Sequence, residues 1–484
     1  MDFPLFHFDI MGERMLMAII AIIHVLINHT LAVGFIPLVA FMEYYGFKQK
    51  KYDLNFGQQW DELARKIMLV AFIITTSAGA MTGVGIWFAA SLINPAAIGS
   101  LIRVFYFAWF TEWIVFVLEV VFIMIYFLTW SKSNNSEKYK RRHIKFGFAL
   151  AVFSWLTMAI IVGILGFMMD PGAWVGDKTF FSGFVNPVYL PQLYFRTPLS
   201  MALGGSIALF LTMFFLKKGN PVRRKAITWI SFWILIWTPV CFAGGFWYYL
   251  EMPDLMFGNM PTAVGTLAFQ GWYDSLLYAL IGAVVVSFLF ALWGFLSART
   301  LPKIAMIFPA LALLIFLGSF ERVREFVRKP YVIGEYMYAN ALQVENYPVY
   351  KKHGILKYAT YSRNYPVNDK NKIDAGRDVF MIACSRCHTA SGLNNIVTKF
   401  DNMLAENKEL TVDFMKGYIP GMHKVWYFMP EFPGNEKELD ALAHFIKHIE
   451  ENPQYLEGAQ TKGIEINPLS NMNEMEEITS SEEK

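Results

Sequence analysis

The chain has 484 residues, of which 55% are hydrophobic and 17% aromatic, and its formal net charge is only +3. A soluble domain does not carry so many apolar runs of bilayer length, about 20 residues each, so the composition excludes one and points to a multi-pass, all-α membrane protein. The net charge says little by itself, its distribution says more, and no nucleic-acid partner is expected.

The stretch Met1 to Arg14 is short, mixed in charge and without the basic start of a cleaved signal peptide, so the first apolar run is expected to be retained as a helix. Eight spanning helices are predicted, at 15–42, 67–93, 104–130, 146–169, 197–216, 226–250, 275–297 and 304–320. Basic residues crowd alternate loops, as Lys48, Lys50, Lys51, Arg65 and Lys66, then Lys132 to Lys145, then Lys217 to Lys225, then Arg299 and Lys303. The opposite loops offer little beyond Arg14, Arg103, Lys178 and Arg196. By the positive-inside rule the crowded loops are cytoplasmic and the N-terminus is outside. Eight crossings then leave the rest of the chain outside too.

Residues 1–330 are thus expected to form the membrane bundle, 331–372 a polar connector, 373–455 a small domain, and 456–484 a disordered acidic tail. The small domain contains Cys384-Ser385-Arg386-Cys387-His388. CxxCH is the attachment signature of one covalent c-type haem, in which the two thiols add to the vinyl groups and the His takes the iron. Gly376 to Phe380 lie upstream where a small cytochrome c has its first helix, and Met429-Pro430 follows at a spacing that suits the second axial ligand, with Met422 in reserve. The amphipathic run 437–449 fits a closing helix. No second Cys pair completes a zinc set. The expectation is a class I-like cytochrome c domain, and similarity to c-type cytochromes implies that it is periplasmic, on an inner-membrane protein.

Ionisable groups inside a bilayer are costly and usually functional. The first helix contains His24 and His29, five residues apart, so on a regular helix their rings point about 140° apart and do not share one iron. His24 is the preferred ligand and His29 the alternative, with a purely structural role open for one of them. Glu112 and Glu119 stack on one face of the third helix, where they can ligate iron or pass protons, or pair with Arg or Tyr of a neighbour. At the end of the eighth helix, Arg322, Arg324 and Arg328 suit haem propionates, the alternative being an interfacial anchor.

Glu325-Phe326-Val327-Arg328-Lys329-Pro330-Tyr331-Val332-Ile333-Gly334-Glu335 resembles the E-x-G-R-Q-P-W-x-x-G-E stretch of cytochrome bd oxidase subunit I. His24 before Gly34 and Met42-Glu43 is similar to that family's first helix, and Phe116-Val117-Leu118-Glu119 to its third. Leu165 to Met168, Asp170-Pro171 and Asn186-Pro187-Val188 follow in order, and the resemblance spans roughly residues 10–340. It implies that His24 and Glu325 are haem ligands, that Glu119 lies at the haem on a proton path, and that one or two non-covalent haems, b and/or d, are held with other membrane subunits.

The chain also departs from the family. The position on the fifth helix that holds a haem ligand His in the family is Arg196, and no counterpart of the partnering Met motif is found. The loop 251–274 is short for a quinol-binding loop, and a haem c domain replaces the ninth helix. The reading is a bd-like oxidoreductase subunit that takes electrons through haem c, from a periplasmic cytochrome or other redox protein, and reduces oxygen at membrane haems. An electron-transfer subunit of a larger complex, without gas chemistry, is the second reading, separated from the first by an open iron site. A conventional quinol oxidase is the weakest.

Overall fold

The computed structural model describes residues 6–264, 273–303, 307–404 and 409–453, so the expected acidic tail lies outside the described residues. The chain divides into two compact units, Leu16–Val344 and a second made of Met1–Met15 with Glu345–Lys484. The expected connector 331–372 is therefore not one element. Its first residues pack with the bundle as a small hairpin, β1 (Tyr331–Ile333) against β2 (Met337–Tyr338), and the remainder belongs to the second unit.

Among the described residues seven helices are long and apolar enough to cross a membrane. They are α1 (Glu13–Gln49), α2 (Leu54–Ile93), α3 (Tyr106–Leu128), α4 (Glu137–Met169), α5 (Tyr189–Phe215), α6 (Pro221–Leu250) and α7 (Tyr273–Leu296). The eighth expected span exists as the helix α8 (Ile307–Val327), but its last turns carry Glu321, Arg322, Arg324 and Glu325, which keep it below the apolarity of the other seven. Of the short loop after α6, residues Asp254–Val264 are helical.

Several helices run well past the predicted ends: α1 continues to Gln49, α2 starts at Leu54 and α4 at Glu137. Their starts are set by side-chain caps, Asp53 accepting from the Phe56 amide at 2.9 Å and Ser136 from the Tyr139 amide at 3.2 Å. The added turns contain Glu43, Asp61, Lys140 and His143, polar and charged residues that read as loop but are buried against each other. α1 and α5 cross at glycine, since a Cβ on Gly34 would collide with the Ser200 carbonyl and one on Gly204 would sit 2.5 Å from the Gly34 carbonyl carbon. Small residues let membrane helices approach this closely. α1 also changes to π-type hydrogen bonding over Asn28–Gly34, a distortion frequent at functional sites.

The second unit is organised on α9 (Lys372–Ala383) and α10 (Glu436–Glu451). They cross at Gly376, where a Cβ would collide with the Ala441 carbonyl and lie 2.7 Å from Phe445 Cβ. Phe380 and Phe445 pack beside the crossing, ring centroids 5.7 Å apart. α10 begins with a capping box, Asn435 with Glu438, and the buried Glu438 carboxylate also accepts the Ile355 and Leu356 amides at 2.9 and 2.8 Å. That one side chain fastens the segment before α9 to α10.

The N-terminal segment belongs to this unit as well. His7 Nδ1 donates to Glu13 at 2.7 Å and Nε2 to Asp9 at 2.9 Å, while the ring stands edge-on to Phe380. Burial opposes charge on His7, but the bonds to Asp9 and Glu13 outweigh it and raise the pKa to about 9. A raised histidine pKa contributes stability that is full below the ordinary value near 6.5 and is lost as pH rises through about 9. The thermal stability of the second unit should therefore fall between pH 7 and 9.5, and His7→Gln should flatten that dependence. Equal slopes in the two proteins would contradict it.

Candidate functional site

The CxxCH residues form one tight turn at the end of α9. The Cys384 amide closes the helix on the Phe380 carbonyl at 2.9 Å, and the amides of Cys387 and His388 both donate to the Cys384 carbonyl at 3.0 Å. Both thiols are free, and burial pushes that of Cys384 up to about 12, with Cys387 adding to the shift. A thiol held protonated is a poor thiolate ligand or redox nucleophile. Burial likewise lowers His388 to about 4, outweighing a backbone hydrogen bond with Asn394, so its imidazole is neutral at pH 7. A neutral ring is what iron ligation requires. Among the described residues no three His, Cys, Asp or Glu groups are placed to hold a metal ion by themselves. Two free thiols and a neutral imidazole on one turn are the groups that covalent attachment of a haem uses. Met429 follows a turn closed on the Trp426 carbonyl at 2.8 Å, and Met422 opens the short helix Met422–Val425, both half-buried.

In the bundle the two histidines of α1 have different surroundings. His24 Nδ1 lies 3.2 Å from the Gly79 carbonyl and 3.1 Å from Thr82 Oγ1, and the Thr82 hydroxyl donates to the Ala78 carbonyl at 2.7 Å. Acceptors at Nδ1 place the proton there and leave the Nε2 lone pair for a metal. This arrangement fits a haem ligand. His29 does not share it. Its Nε2 accepts from Arg196 Nη1 at 3.0 Å, and a guanidinium can only donate, so that lone pair is occupied.

Arg196 is fully buried and joins three helices: His29 of α1, its own α5, and Glu321 of α8 at 2.5 Å. Glu321 also accepts from Arg324 at 3.0 Å. Nε and Nη2 of Arg196 and Nη1 of Arg324 remain buried without hydrogen-bond partners. Unpaired guanidinium donors of this kind suit an anionic group such as a haem propionate. Arg328 pairs with Glu325 at 2.6 Å and donates to the Val332 carbonyl at 2.9 Å, and Lys329 lies 3.8 Å from Glu325. Arg322 is half-buried on the same helix. The structure thus brings Arg324 and His29 into one cluster and Glu325 and Arg328 into another.

On α3, Glu119 is buried and accepts from Ser154 at 2.7 Å and Thr157 at 3.1 Å, both from α4. Glu112 is half-buried one heptad before it. One heptad after it, Tyr126 donates to Glu43 at 2.7 Å. Glu43 in turn binds Lys140 and His143, each at 2.6 Å, and Lys140 binds Asp61 at 2.6 Å. This second buried cluster was missed at the sequence level, where Lys140 counted only as loop charge. The available signal was the seven-residue spacing of Glu112, Glu119 and Tyr126 on one apolar helix.

Removing one partner of a buried ion pair costs about 3–5 kcal/mol because it strands the other charge. Glu321→Gln or Arg196→Met should accordingly lower the thermal stability of the bundle sharply, and Arg196→Met/Glu321→Met should recover much of the loss. Additive losses in the double variant would show that the two groups do not act as a pair.

No family model matches the sequence, and no curated protein matches it. Among solved structures, the fold is similar to the bd oxidase from Geobacillus thermodenitrificans, with a TM-score of 0.52 at 15% identity, over 67% of this chain and 89% of that one. The chain is a multi-pass membrane protein with a bd-oxidase-like fold.

Proposed function

We propose that this chain is a membrane-bound respiratory oxidoreductase subunit that receives electrons at a covalent haem c and delivers them to one or two non-covalent haems, b and/or d, where oxygen is reduced. The observation that carries the reading is the CxxCH turn, with its free thiols and neutral His388, on a chain whose bundle is bd-oxidase-like. Cys384 and Cys387 would hold haem c covalently, with His388 and Met429 as axial ligands. His24 and Glu325 would serve a membrane haem, and Arg322, Arg324 and Arg328 its propionates. Glu119, steadied by Ser154 and Thr157, would hold and pass protons together with Glu112. Haem supplies the electron storage and, at an iron with an open position, the oxygen chemistry. Partners would be other membrane subunits and a periplasmic cytochrome or redox protein.

Two further observations support this reading over quinol oxidation. Arg196, standing where the resemblance expects a histidine ligand, is committed to His29 and Glu321. The N-terminal segment and the CxxCH domain belong to one unit, which supports both lying on one side of the membrane and an even number of crossings. Among the described residues seven apolar spans plus α8 make eight, in keeping with the periplasmic domain that the positive-inside pattern implies. The second reading, an electron-transfer subunit without gas chemistry, shares all these features and differs in lacking an open iron site.

His24→Ala should abolish a membrane-haem band in the reduced-minus-oxidised spectrum while covalent haem c persists, and His29→Ala should retain that band. The reverse would exchange their roles. In the intact complex, oxygen consumption should be rapid with a reduced cytochrome c and slow with quinol, and Glu325→Ala should abolish it with haem c still attached. Quinol oxidation untouched by removal of residues 373–484 would defeat the proposal. No consumption with any donor and no CO-induced spectral change would favour the electron-transfer subunit.

A further inference from the structure

The loop that follows His388 is held by a part of the chain about 380 residues earlier. The Asp9 carboxylate accepts the Ala390 amide at 2.6 Å, the Ser391 amide at 2.9 Å and the Ser391 hydroxyl. The Leu393 amide donates to the Ile10 carbonyl at 3.0 Å, and Arg386, inside the CxxCH motif, donates to the Phe6 carbonyl at 3.1 Å. Gly392 is the point of closest approach, where any Cβ would collide with the carbonyls of Asp9 and Ile10. His7 clamps the segment on itself by bonding to both Asp9 and Glu13. Within the loop, Asn394 donates to the Cys387 carbonyl, and the Ile396 amide to the Thr389 carbonyl at 2.9 Å.

Asp9, Arg386 and Ala390 are buried. A buried carboxylate that accepts several backbone and hydroxyl donors stabilises one loop conformation, because each amide would otherwise be left unpaired. Glu13 begins α1, so this segment is the direct continuation of the first membrane helix. The haem-attachment loop is therefore fixed from outside its own sequence neighbourhood.

We propose that residues 6–13 are a strap that positions the CxxCH loop, with Asp9 as the positioning residue and Gly392 as its seat, so that the geometry of the His388 ligand and the potential of haem c depend on the N-terminus. This rests on the haem c reading above. The strap completes the second unit, and residues 345–453 alone lack one wall of the attachment loop. Covalent attachment needs only the thiols and the His, whereas the potential responds to hydrogen bonding and solvent access around the iron ligand.

The test uses the full-length complex with Asp9→Ala, Asp9→Asn and Gly392→Val. Amide exchange at 389–393 should become roughly tenfold faster or more in Asp9→Ala, with α9 and α10 unchanged and Asp9→Asn intermediate. The midpoint potential of haem c should shift in Asp9→Ala and Gly392→Val while the covalent haem content stays at the wild-type level. If Asp9→Ala opens the whole unit, Asp9→Asn carries the comparison. Wild-type exchange and wild-type potential in these variants would overturn the strap, and faster exchange with an unchanged potential would overturn its positioning role. Absence of covalent haem from the unaltered protein would instead overturn the haem c reading, with the exchange arm still reporting on the strap.

Discussion

A guanidinium without solvent contact has to be neutralised where it stands, and the pairing of Arg196 with Glu321 at 2.5 Å meets that requirement inside the bundle. The pair joins α5 to α8, and Arg196 also donates to His29 of α1. Three helices are thereby held in one register by groups that cannot separate without stranding a charge. The same contact has a chemical consequence. It occupies the lone pair of His29, so that of the two histidines on α1 only His24 keeps a nitrogen available to a metal.

A second low-dielectric cluster, Glu43, Asp61, Lys140, His143 and Tyr126, repeats the principle elsewhere in α1 to α4. Its charges sit in helical turns, and mutual pairing is what allows those helices to continue beyond their apolar segments. Tyr126 and Glu119 lie two turns apart on α3, and their partners come from α1 and α4. Glu119 and Tyr126 thus share one face of α3 and bond to neighbouring helices.

The second unit is held together by different means. Close crossing of α9 and α10 at Gly376 buries Phe380 and Phe445, and carboxylates then fasten chain segments that lack regular structure. Glu438 does so for residues 355 and 356, and Asp9 for residues 390 and 391. In both cases one buried side chain satisfies backbone amides that no helix or sheet would have paired. The CxxCH turn is thus supported from two directions, by α9 before it and by the N-terminal segment after it.

The sequence by itself determined the features that depend on local pattern. Long apolar runs specified seven of the spans to within the membrane, because burying a helix in lipid needs only length and hydrophobicity. CxxCH specified two thiols and an imidazole on one turn, because that geometry is closed by bonds among five consecutive residues. The stacking of Glu112 and Glu119 followed from helical spacing alone. Only the tertiary structure decided where helices end, since Lys140 and Asp61 read as loop charges until their partners are known. It gave His24 and His29 their different surroundings, through Gly79, Thr82 and Arg196, residues distant in sequence. It also divided the connector at residue 344 and assigned the N-terminal segment to the CxxCH unit. Such long-range pairings leave no periodicity in the chain, because their stability comes from the low dielectric and the shared amides of a folded interior.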